Sequence, residues 1–325
     1  MTRVFRSLEE ARGRFGPCVL SIGNFDGVHL GHQRLLREVS ATASAFGLPA
    51  AVLTFHPHPA QIIAPERAPR LLTTAEERCR KMAEYGIEQV LILPFTRELS
   101  LFEPAQFTEQ VLVEALQARH VLVGGNFRFG RGQQGSTETL RELGLHYGFG
   151  MNTVAAESLR GTVISSSAIR RHILEGRVAR AARMLGRFYA VEGAILKGKG
   201  IGSTRTVPTL NVEASQEVVP ATGVYVSRTQ VTGENRSWPS ITNIGYRPTF
   251  GDGAEGRTIE THLLEPLEGA TPARIRVEFT HRVRDERRFE SVELLKEQIL
   301  RDAARAKAWH AHWQSWRGSR LENVV

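Results

Sequence analysis

Short apolar runs alternate with amphipathic segments over the first 186 residues. The runs at 18–22, 51–55, 90–93 and 121–123 are continuous and apolar, with a weaker one at 153–155. Such runs are typical of strands that are buried on both faces of a parallel sheet. The segments between them space their apolar residues for helices, which we predict at 33–46, 74–85, 104–116 and 136–147. The alternation predicts a doubly wound parallel α/β domain, whose ligands bind at the carboxyl ends of the strands.

The pattern changes after Gly186. Two short basic helices, predicted at 168–174 and 178–185, lead up to this residue. Beyond it, segments rich in β-branched residues are separated by turn signals, which predicts strands at 189–196, 223–231, 237–244, 258–264 and 274–283. A helix from Ser291 to about Trp316 closes the chain. We therefore predict the fold class α/β + β, with an α/β domain at 1–186 and a small β-barrel domain with a closing helix at 187–325.

The composition excludes several classes of protein. The 325 residues fit about two domains, and a hydrophobic fraction of 41% excludes a mainly disordered chain. No apolar run approaches the ~18 residues of a membrane span, and the first residues lack an apolar signal core. The two cysteines, Cys18 and Cys79, exclude a disulfide framework and a cysteine-rich zinc site. We expect a cytoplasmic protein that does not bind membranes.

The formal net charge of +8 favours anionic partners, either nucleic acid or phosphorylated small molecules. No run of five or six basic residues is present to act as a nucleic-acid arm. The last helix carries Arg301, Arg305 and three tryptophans, which is a base-stacking alternative. We expect Leu294, Leu295, Ile299 and these tryptophans to form a packing face, and we expect no nucleic-acid partner.

The most informative stretch, 23–33, reads Gly-Asn-Phe-Asp-Gly-Val-His-Leu-Gly-His-Gln and joins the first strand to the first helix. A helix N-terminus presents main-chain N–H groups and a partial positive charge that suit phosphate. His29 and His32 are three residues apart, so they face the same way and could neutralise charge on a triphosphate. A zinc pair or ordinary surface histidines are the alternatives, although zinc usually needs a third protein ligand.

With this stretch the chain resembles the prokaryotic bifunctional riboflavin kinase/FMN adenylyltransferase (FAD synthetase) family. Further segments match in the family's order, at 54–59 (Thr-Phe-His-Pro-His-Pro), 123–130, 164–170 and 185–187. Residues 187–316 resemble the riboflavin kinase domain, with matches at 198–202, 208–211, 243–250, 260–262 and 288–291. The resemblance implies that one chain phosphorylates riboflavin to FMN and then adenylylates FMN to FAD. Its partners would be riboflavin, FMN, FAD and the co-substrate ATP.

For the first domain, the resemblance implies an adenylyltransferase site in which the FMN phosphate attacks the α-phosphorus of ATP and pyrophosphate leaves. His29 and His32 are the candidate catalytic residues. The candidate ATP ligands are Gly23, Phe25, His29, His32, His58, Ser166, Ser167 and Arg170. Serines at a helix start can also simply cap it. Asn126 and Arg128 are the candidate flavin ligands. The role of Asp26 is left open between a turn cap and a nucleotide contact.

For the second domain, the resemblance implies a kinase site in which Glu260 is the base that takes the ribityl hydroxyl proton. The candidate ATP ligands are Gly198, Gly200, Gly202, Thr209 and Asn211. Thr209 and Asn211 are two apart, so on a strand they point the same way and can share Mg²⁺. The chain departs from the family pattern at 203–207, at Leu210 and at Phe188. Since Thr209, Asn211 and Glu260 are retained, we expect an active kinase.

Three rival interpretations are weaker. Gly130, Gly132 and Gly135 have the spacing of a dinucleotide fingerprint, but 126–129 separate them from the preceding strand. Gly193 and Lys199 fit the start of a P-loop, but Gly occupies position 200, where Ser or Thr should bind Mg²⁺. In the third interpretation the second domain only binds flavin. Production of FAD from riboflavin, and not only from FMN, would exclude it.

Overall fold

The computed structural model describes residues 2–196, 209–234, 236–246, 257–267, 272–287 and 289–321, and the side chains of 292 and 313–321 are outside this description. The chain divides into two compact units, 1–166 and 167–325. The domain boundary at 186/187 stays a prediction.

The first unit is built on a parallel sheet. Among its described residues, six strands pair in parallel: β1 (Arg3–Phe5), β2 (Cys18–Ile22), β3 (Ala50–His56), β4 (Gln89–Pro94), β5 (Ala118–Gly124) and β6 (Gly150–Val154). Their order across the sheet is β1-β4-β3-β2-β5-β6. The chain therefore winds one way from β2 to β4 and the other way from β5 to β6. The order reverses between β2 and β5, where doubly wound sheets bind their ligands.

Helices cover the sheet of the first unit, and several of their ends are capped. They are α1 (Leu8–Ala11), α2 (Leu30–Phe46), α3 (Pro59–Ile63), α4 (Ala75–Ala83), α5 (Pro104–Phe107, continued as a π-helix over Thr108–Ala115) and α6 (Thr137–Tyr147). Thr74 caps α4 through a bond from the N–H of Glu77, and Gly47 ends α2 in the left-handed conformation. Two buried apolar clusters result. One contains Leu20, Leu53 and Leu91, and the other contains Val19, Val52 and Val90.

The second unit is built around a closed barrel. Its first two helices are α7 (Ser166–Leu174) and α8 (Val178–Leu185), and a two-stranded hairpin, β7 (Ser158–Leu159) and β8 (Thr162–Val163), precedes them in the first unit. The barrel strands are β9 (Tyr189–Leu196), β10 (Thr209–Ala214), β11 (Gly223–Val231), β12 (Ser237–Tyr246), β13 (Arg257–Leu263) and β14 (Arg274–Arg284). They close in the order β10-β13-β12-β11-β14-β9, with β10 paired to β9.

The barrel interior holds a closed ring of hydroxyl groups among its apolar side chains. Ser227 and Thr229 on β11, Ser240 and Thr242 on β12, and Thr261 on β13 are all buried. Each hydroxyl contacts two others at 2.7–3.3 Å, in the cyclic order 227, 240, 229, 261, 242. Every hydroxyl can donate one hydrogen bond and accept one, so the ring satisfies all five buried groups.

A long helix, α9 (Val292–Leu321), packs on the outside of this barrel. Ala306 and Trp309 lie against Val224, Val226 and Ile241. The ring of His310 is 3.0 Å from the carbonyl oxygen of Ser227, and a buried Asp302 pairs with the guanidinium of Arg284 at 2.8 Å. These contacts attach the helix to β11, β12 and β14.

The fold class predicted from the sequence is confirmed, but α1, α3 and the hairpin of β7 and β8 were not predicted, and further elements need correction. The sequence analysis omitted β1 and did not count β10 among the barrel strands, and it placed β6 three residues too late. The packing face proposed for α9 is wrong at its start, because Leu294 and Leu295 are 47% and 40% exposed. Trp309 does pack against the barrel, as expected.

Candidate active sites

The first site lies where the order of the parallel strands reverses. The signature loop, residues 23–29, leaves the carboxyl end of β2, and the loop 125–135 leaves the carboxyl end of β5 beside it. The His58 loop, residues 57–58, leaves the carboxyl end of β3 on the other side of β2. The topology therefore gathers three of the predicted segments at one edge of the sheet.

The signature loop is held in an unusual backbone conformation. Phe25 and Val28 have φ values of 51° and 39°, which side chains other than glycine rarely adopt. Both side chains are buried, at 2% and 0% exposure. Strain of this kind persists only where surrounding contacts fix the backbone, and it clusters at binding sites.

The fixing contacts come from Asp26, whose role the sequence left open. Its carboxylate is buried and accepts hydrogen bonds from the N–H of Leu72 at 2.9 and 3.1 Å, and from the N–H and hydroxyl of Thr73 at 3.1 and 3.2 Å. The hydroxyl of Thr73 in turn accepts a bond from the N–H of Gly27 at 3.0 Å. Asp26 therefore ties the signature loop to the segment before α4.

His29 and His32 form a stacked pair at the start of α2, with ring centroids 3.6 Å apart and an interplanar angle of 17°. Nδ1 of His29 accepts the N–H of His32 and caps the helix, at 3.3 Å. The hydrogen of the neutral His29 ring is then on Nε2, which makes that nitrogen a donor. Phe25 packs against His32, with centroids 5.1 Å apart, and a Cβ at Gly23 would press on the Phe25 ring at 3.2 Å.

His58 is joined to the signature loop through Asn24. Its Nδ1 accepts the N–H of Ala60 at 3.1 Å and caps α3. The neutral ring then carries its hydrogen on Nε2, which lies 3.1 Å from the side-chain amide of Asn24. We therefore orient that amide with its oxygen toward His58, since the assignment of amide oxygen and nitrogen follows the hydrogen bonds.

Ser166, Ser167 and Arg170 lie on α7 at the end of the first unit and the start of the second. The hydroxyl of Ser166 donates to the carbonyl oxygen of Asp26 at 2.9 Å, which places this serine on the signature loop. Ser167 is exposed and Arg170 is half-buried. Both belong to the second unit.

Asn126 and Arg128 are exposed on the loop that follows β5. The phenylalanines that alternate with them, Phe127 and Phe129, are stacked with centroids 5.6 Å apart, and Phe129 is buried against Phe107. The alternation anchors one side of the loop in the core and leaves the two predicted flavin ligands at its surface. The glycines of the rival dinucleotide fingerprint lie in this loop, with positive φ at Gly130 and Gly132.

The second site lies on the outer face of the barrel. Asn211 on β10 is opposite Glu260 on β13, and Glu260 is opposite Asn243 on β12. Successive residues of a strand point to opposite faces, and Leu210 is buried in the interior. Thr209, Asn211, Glu260 and Asn243 therefore share the outer face. Thr209 Oγ1 is 3.0 Å from Nδ1 of His262 on β13. The pairing of β10 with β13 therefore brings Thr209, Asn211 and Glu260 together.

Glu286 lies over the same outer face, in the segment between β14 and α9. A Cβ at Gly245 would collide with its Oε1, so the missing side chain of Gly245 makes room for this carboxylate. The predicted ligands Gly198, Gly200 and Gly202, and the divergent segment 203–207, lie outside the described residues. Within the described ranges, no group of three or more His, Cys, Asp or Glu side chains is placed to hold a metal ion.

Arg78 on α4 is a further residue near the first site that the sequence analysis did not find. It is only 2% exposed, and its Nη1 donates to the carbonyl oxygen of Asn24 at 2.6 Å. Burial lowers the pKa of Arg78, and the charge of Asp26 opposes this effect. The only signal in the sequence is an arginine beside Cys79 on an apolar helix face, which does not identify its partner.

Comparisons with known proteins identify the family of this chain. Residues 12–168 match the family model of FAD synthetase, and 185–310 match that of riboflavin kinase. The bifunctional riboflavin kinase/FMN adenylyltransferase of Pseudomonas fluorescens is 36% identical over 307 residues, which cover 94% of this chain and 97% of that protein. The proteins of the same name from Escherichia coli K12 and Bacillus subtilis are 36% and 33% identical, over 89% of this chain and 92% and 91% of theirs.

A solved structure of similar fold carries a different name. It is described as a macrolide-efflux protein from Streptococcus pneumoniae, with a TM-score of 0.84 and 26% identity, and the match covers 95% of this chain and 99% of that one. In the described part of this chain, no helix is both long and apolar enough to span a membrane. The two family models and the full-length relatives show that this chain belongs to the bifunctional riboflavin kinase/FMN adenylyltransferase family.

Proposed function

We propose that the two activities of the family are divided along the chain, with FMN adenylylation in residues 1–186 and riboflavin phosphorylation in 187–325. The chain converts riboflavin to FMN and FMN to FAD, with ATP as the co-substrate of both steps. The observation that carries the assignment is the stacked pair of His29 and His32 at the start of α2, where the strand order reverses.

In the adenylylation step, a phosphate oxygen of FMN attacks the α-phosphorus of ATP. The bond from that phosphorus to the bridging oxygen of the β-phosphate breaks, and pyrophosphate leaves. The chemistry needs in-line positioning and charge neutralisation, and no covalent nucleophile. We assign the donors of His29 and His32 and the N-terminus of α2 to the phosphates of ATP. We assign His58, Gly23 and Phe25 to the same ATP site on the grounds of the family resemblance.

Ser166, the last residue of the first unit, is also assigned to the proposed ATP site. Because the hydroxyl of Ser166 donates to the carbonyl oxygen of Asp26, the group that Ser166 offers to phosphate is its main-chain N–H. Ser167 and Arg170, which belong to the second unit, are proposed as ATP ligands on the grounds of the family resemblance. Asn126 and Arg128 are exposed on the adjacent loop, which supports their assignment to the flavin.

In the phosphorylation step, the ribityl 5′-hydroxyl of riboflavin attacks the γ-phosphorus of ATP and ADP leaves. We assign Glu260 as the base that accepts the hydroxyl proton. Its position between Asn211 and Asn243 on one face of three strands supports this role. The glycines 198, 200 and 202 are proposed to cover the phosphates on the grounds of resemblance.

We propose Mg²⁺ as the metal of the kinase site. The hydroxyl of Thr209 and the amide oxygen of Asn211 are hard oxygen ligands, which fits Mg²⁺ bound mainly by phosphates and water. His262 can accept the hydrogen of the Thr209 hydroxyl, which would turn the oxygen's lone pairs outward. When bound, the metal neutralises charge on the phosphates of ATP.

We place the protein in the cytoplasm, where ATP is available. Cys18 and Cys79 are both buried free thiols, which suits a reducing compartment.

A single chromatographic assay of riboflavin with Mg-ATP tests both assignments. The variant His29→Ala/His32→Ala should accumulate FMN without FAD. Glu260→Gln should make no FMN from riboflavin, but should still make FAD when FMN is supplied. Glu234→Gln, which changes an exposed turn carboxylate, is the matched control and should behave as the wild type. If the histidine variant still makes FAD at the wild-type rate, the first site is assigned wrongly.

A further inference from the structure

Arg78 is a buried arginine with contacts in two of the loops that form the adenylyltransferase site. It lies on the inner face of α4 and is 2% exposed. Nη1 donates to the carbonyl oxygen of Asn24 at 2.6 Å and lies 3.3 Å from the hydroxyl of Thr54. Nη2 lies 3.5 Å from the carbonyl oxygen of Phe55. One planar guanidinium therefore spans the carboxyl ends of β2 and β3.

The two strand ends carry different parts of the site. Beyond Asn24 the chain runs through the strained signature loop to His29 and His32, and beyond Phe55 it runs to His58. The side chain of Asn24 also contacts His58 at 3.1 Å. Through one carbonyl group, Arg78 is thus connected to the histidine pair on one side and to His58 on the other.

Burying an arginine to join two strand ends is unfavourable for folding. The atoms that Arg78 contacts are two carbonyl oxygens and a hydroxyl, all uncharged, and its Nε has no hydrogen-bond partner. Burying a cation opposes folding, although the charge of Asp26 offsets part of this cost, and an apolar residue of similar volume often gives equal or greater stability. The arginine has two features that such a residue lacks, a rigid fork of donors and a positive charge below a site for phosphates.

We propose that Arg78 is a positioning residue of the adenylyltransferase site, which sets the distance between His58 and the pair of His29 and His32. This inference rests on the proposed function of the first unit. Arg78 acts through Asn24 and does not touch the nucleotide. Its loss should therefore displace the ligating groups and lower kcat more than it raises KM for ATP.

The test compares three variants of the full-length protein, Arg78→Met, Arg78→Lys and the control Arg80→Met, which changes an exposed arginine of the same helix. FAD formation from FMN and Mg-ATP is measured as kcat and KM. FMN formation from riboflavin by the same preparations reports on the second unit, and far-UV circular dichroism reports on folding. We expect Arg78→Met to lose about 10- to 100-fold in kcat for FAD formation, with Arg78→Lys intermediate and FMN formation unchanged.

A second comparison tests the path through His58. If Arg78 acts by placing His58, then Arg78→Met should cost less in a His58→Ala background than in the wild type. Additive losses in the double variant would overturn this part of the proposal.

Two results would overturn the proposal as a whole. One is FAD formation by Arg78→Met within about twofold of the wild type. The other is early unfolding of both Arg78→Met and Arg78→Lys in step with their loss of activity, which would make the role structural. The proposed function fails separately, if the wild-type protein makes no FAD from FMN.

Discussion

Replacing Asp26 should destabilise the first unit and leave the second unaffected. In Asp26→Ala, three buried donors lose their acceptor: the N–H of Leu72, and the N–H and hydroxyl of Thr73. An unsatisfied buried donor costs about 1–3 kcal/mol. Allowing for water that enters the space left by the carboxylate, we expect a loss of about 3–5 kcal/mol. Asp26→Asn keeps one oxygen acceptor and should lose about 1–3 kcal/mol.

The distribution of tryptophan allows the two units to be followed separately. All four tryptophans, at 238, 309, 313 and 316, are in the second unit. Tryptophan fluorescence in urea therefore reports on the barrel unit, whereas far-UV circular dichroism reports on both. With an m-value of about 1–3 kcal/mol/M, the dichroism transition of the first unit should move about 2 M lower in Asp26→Ala. The fluorescence transition should stay in place.

The reasoning is refuted if the dichroism and fluorescence transitions of Asp26→Ala both coincide with those of the wild type. It is also refuted if Asp26→Asn is as unstable as Asp26→Ala. The asparagine keeps one oxygen acceptor and should leave fewer of the buried donors without a partner. Loss of FAD formation with no change in the dichroism transition would instead indicate a direct contact between Asp26 and bound nucleotide.

Further predictions concern pH, thiols and the barrel. Burial lowers the pKa of His310 below its usual 6.5, so below pH 6.5 the unfolded chain takes up a proton that the folded chain does not. The free energy of unfolding of the second unit should therefore fall as the pH drops below 6.5. Urea titrations at several pH values should show a weaker pH dependence in His310→Gln. Burial raises the pKa of Cys18 to about 12 and also raises that of Cys79, so a thiol reagent at pH 8 should react with neither until the protein is unfolded. A Cβ at Gly193 would collide with the carbonyl oxygen of Glu213 on the paired strand, so Gly193→Ala should lower the fluorescence midpoint in urea, corresponding to about 1–3 kcal/mol.

The sequence predicts most accurately the strands and helices that carry a clear apolar pattern of their own. The strands β2 to β5 and the helix α6 agree with the prediction to within a few residues, because their apolar runs and caps are local signals. β1 is only three residues long and two of them are exposed, so it has no run to recognise. The π-helix that continues α5 has the same composition as an α-helix, so its wider turn leaves no trace in the pattern.

At the candidate sites, too, the sequence reveals local motifs but not the contacts between distant residues. His29, His32 and Glu260 lie in local motifs from which their roles are predicted. The contacts that hold these motifs join residues far apart in the chain: Asp26 with Leu72 and Thr73, and Arg78 with Asn24. Nothing local in a single sequence pairs such residues. Their partners are determined by which strands become neighbours, and that is known only after the sheet has been ordered.

The hydroxyl ring inside the barrel constrains how this core can vary. Thr242 donates to Thr261, and this single direction orients every other hydrogen around the circle. An aliphatic side chain at one position would open the circle and leave one neighbour short of a donor and the other short of an acceptor. Neighbouring replacements made together would cost less than their separate effects suggest, because the second would remove a group that the first had already orphaned. In related barrels, substitutions at these five positions should therefore occur together. A fully apolar interior, or one that keeps all five hydroxyl groups, should be more common than a mixture of the two.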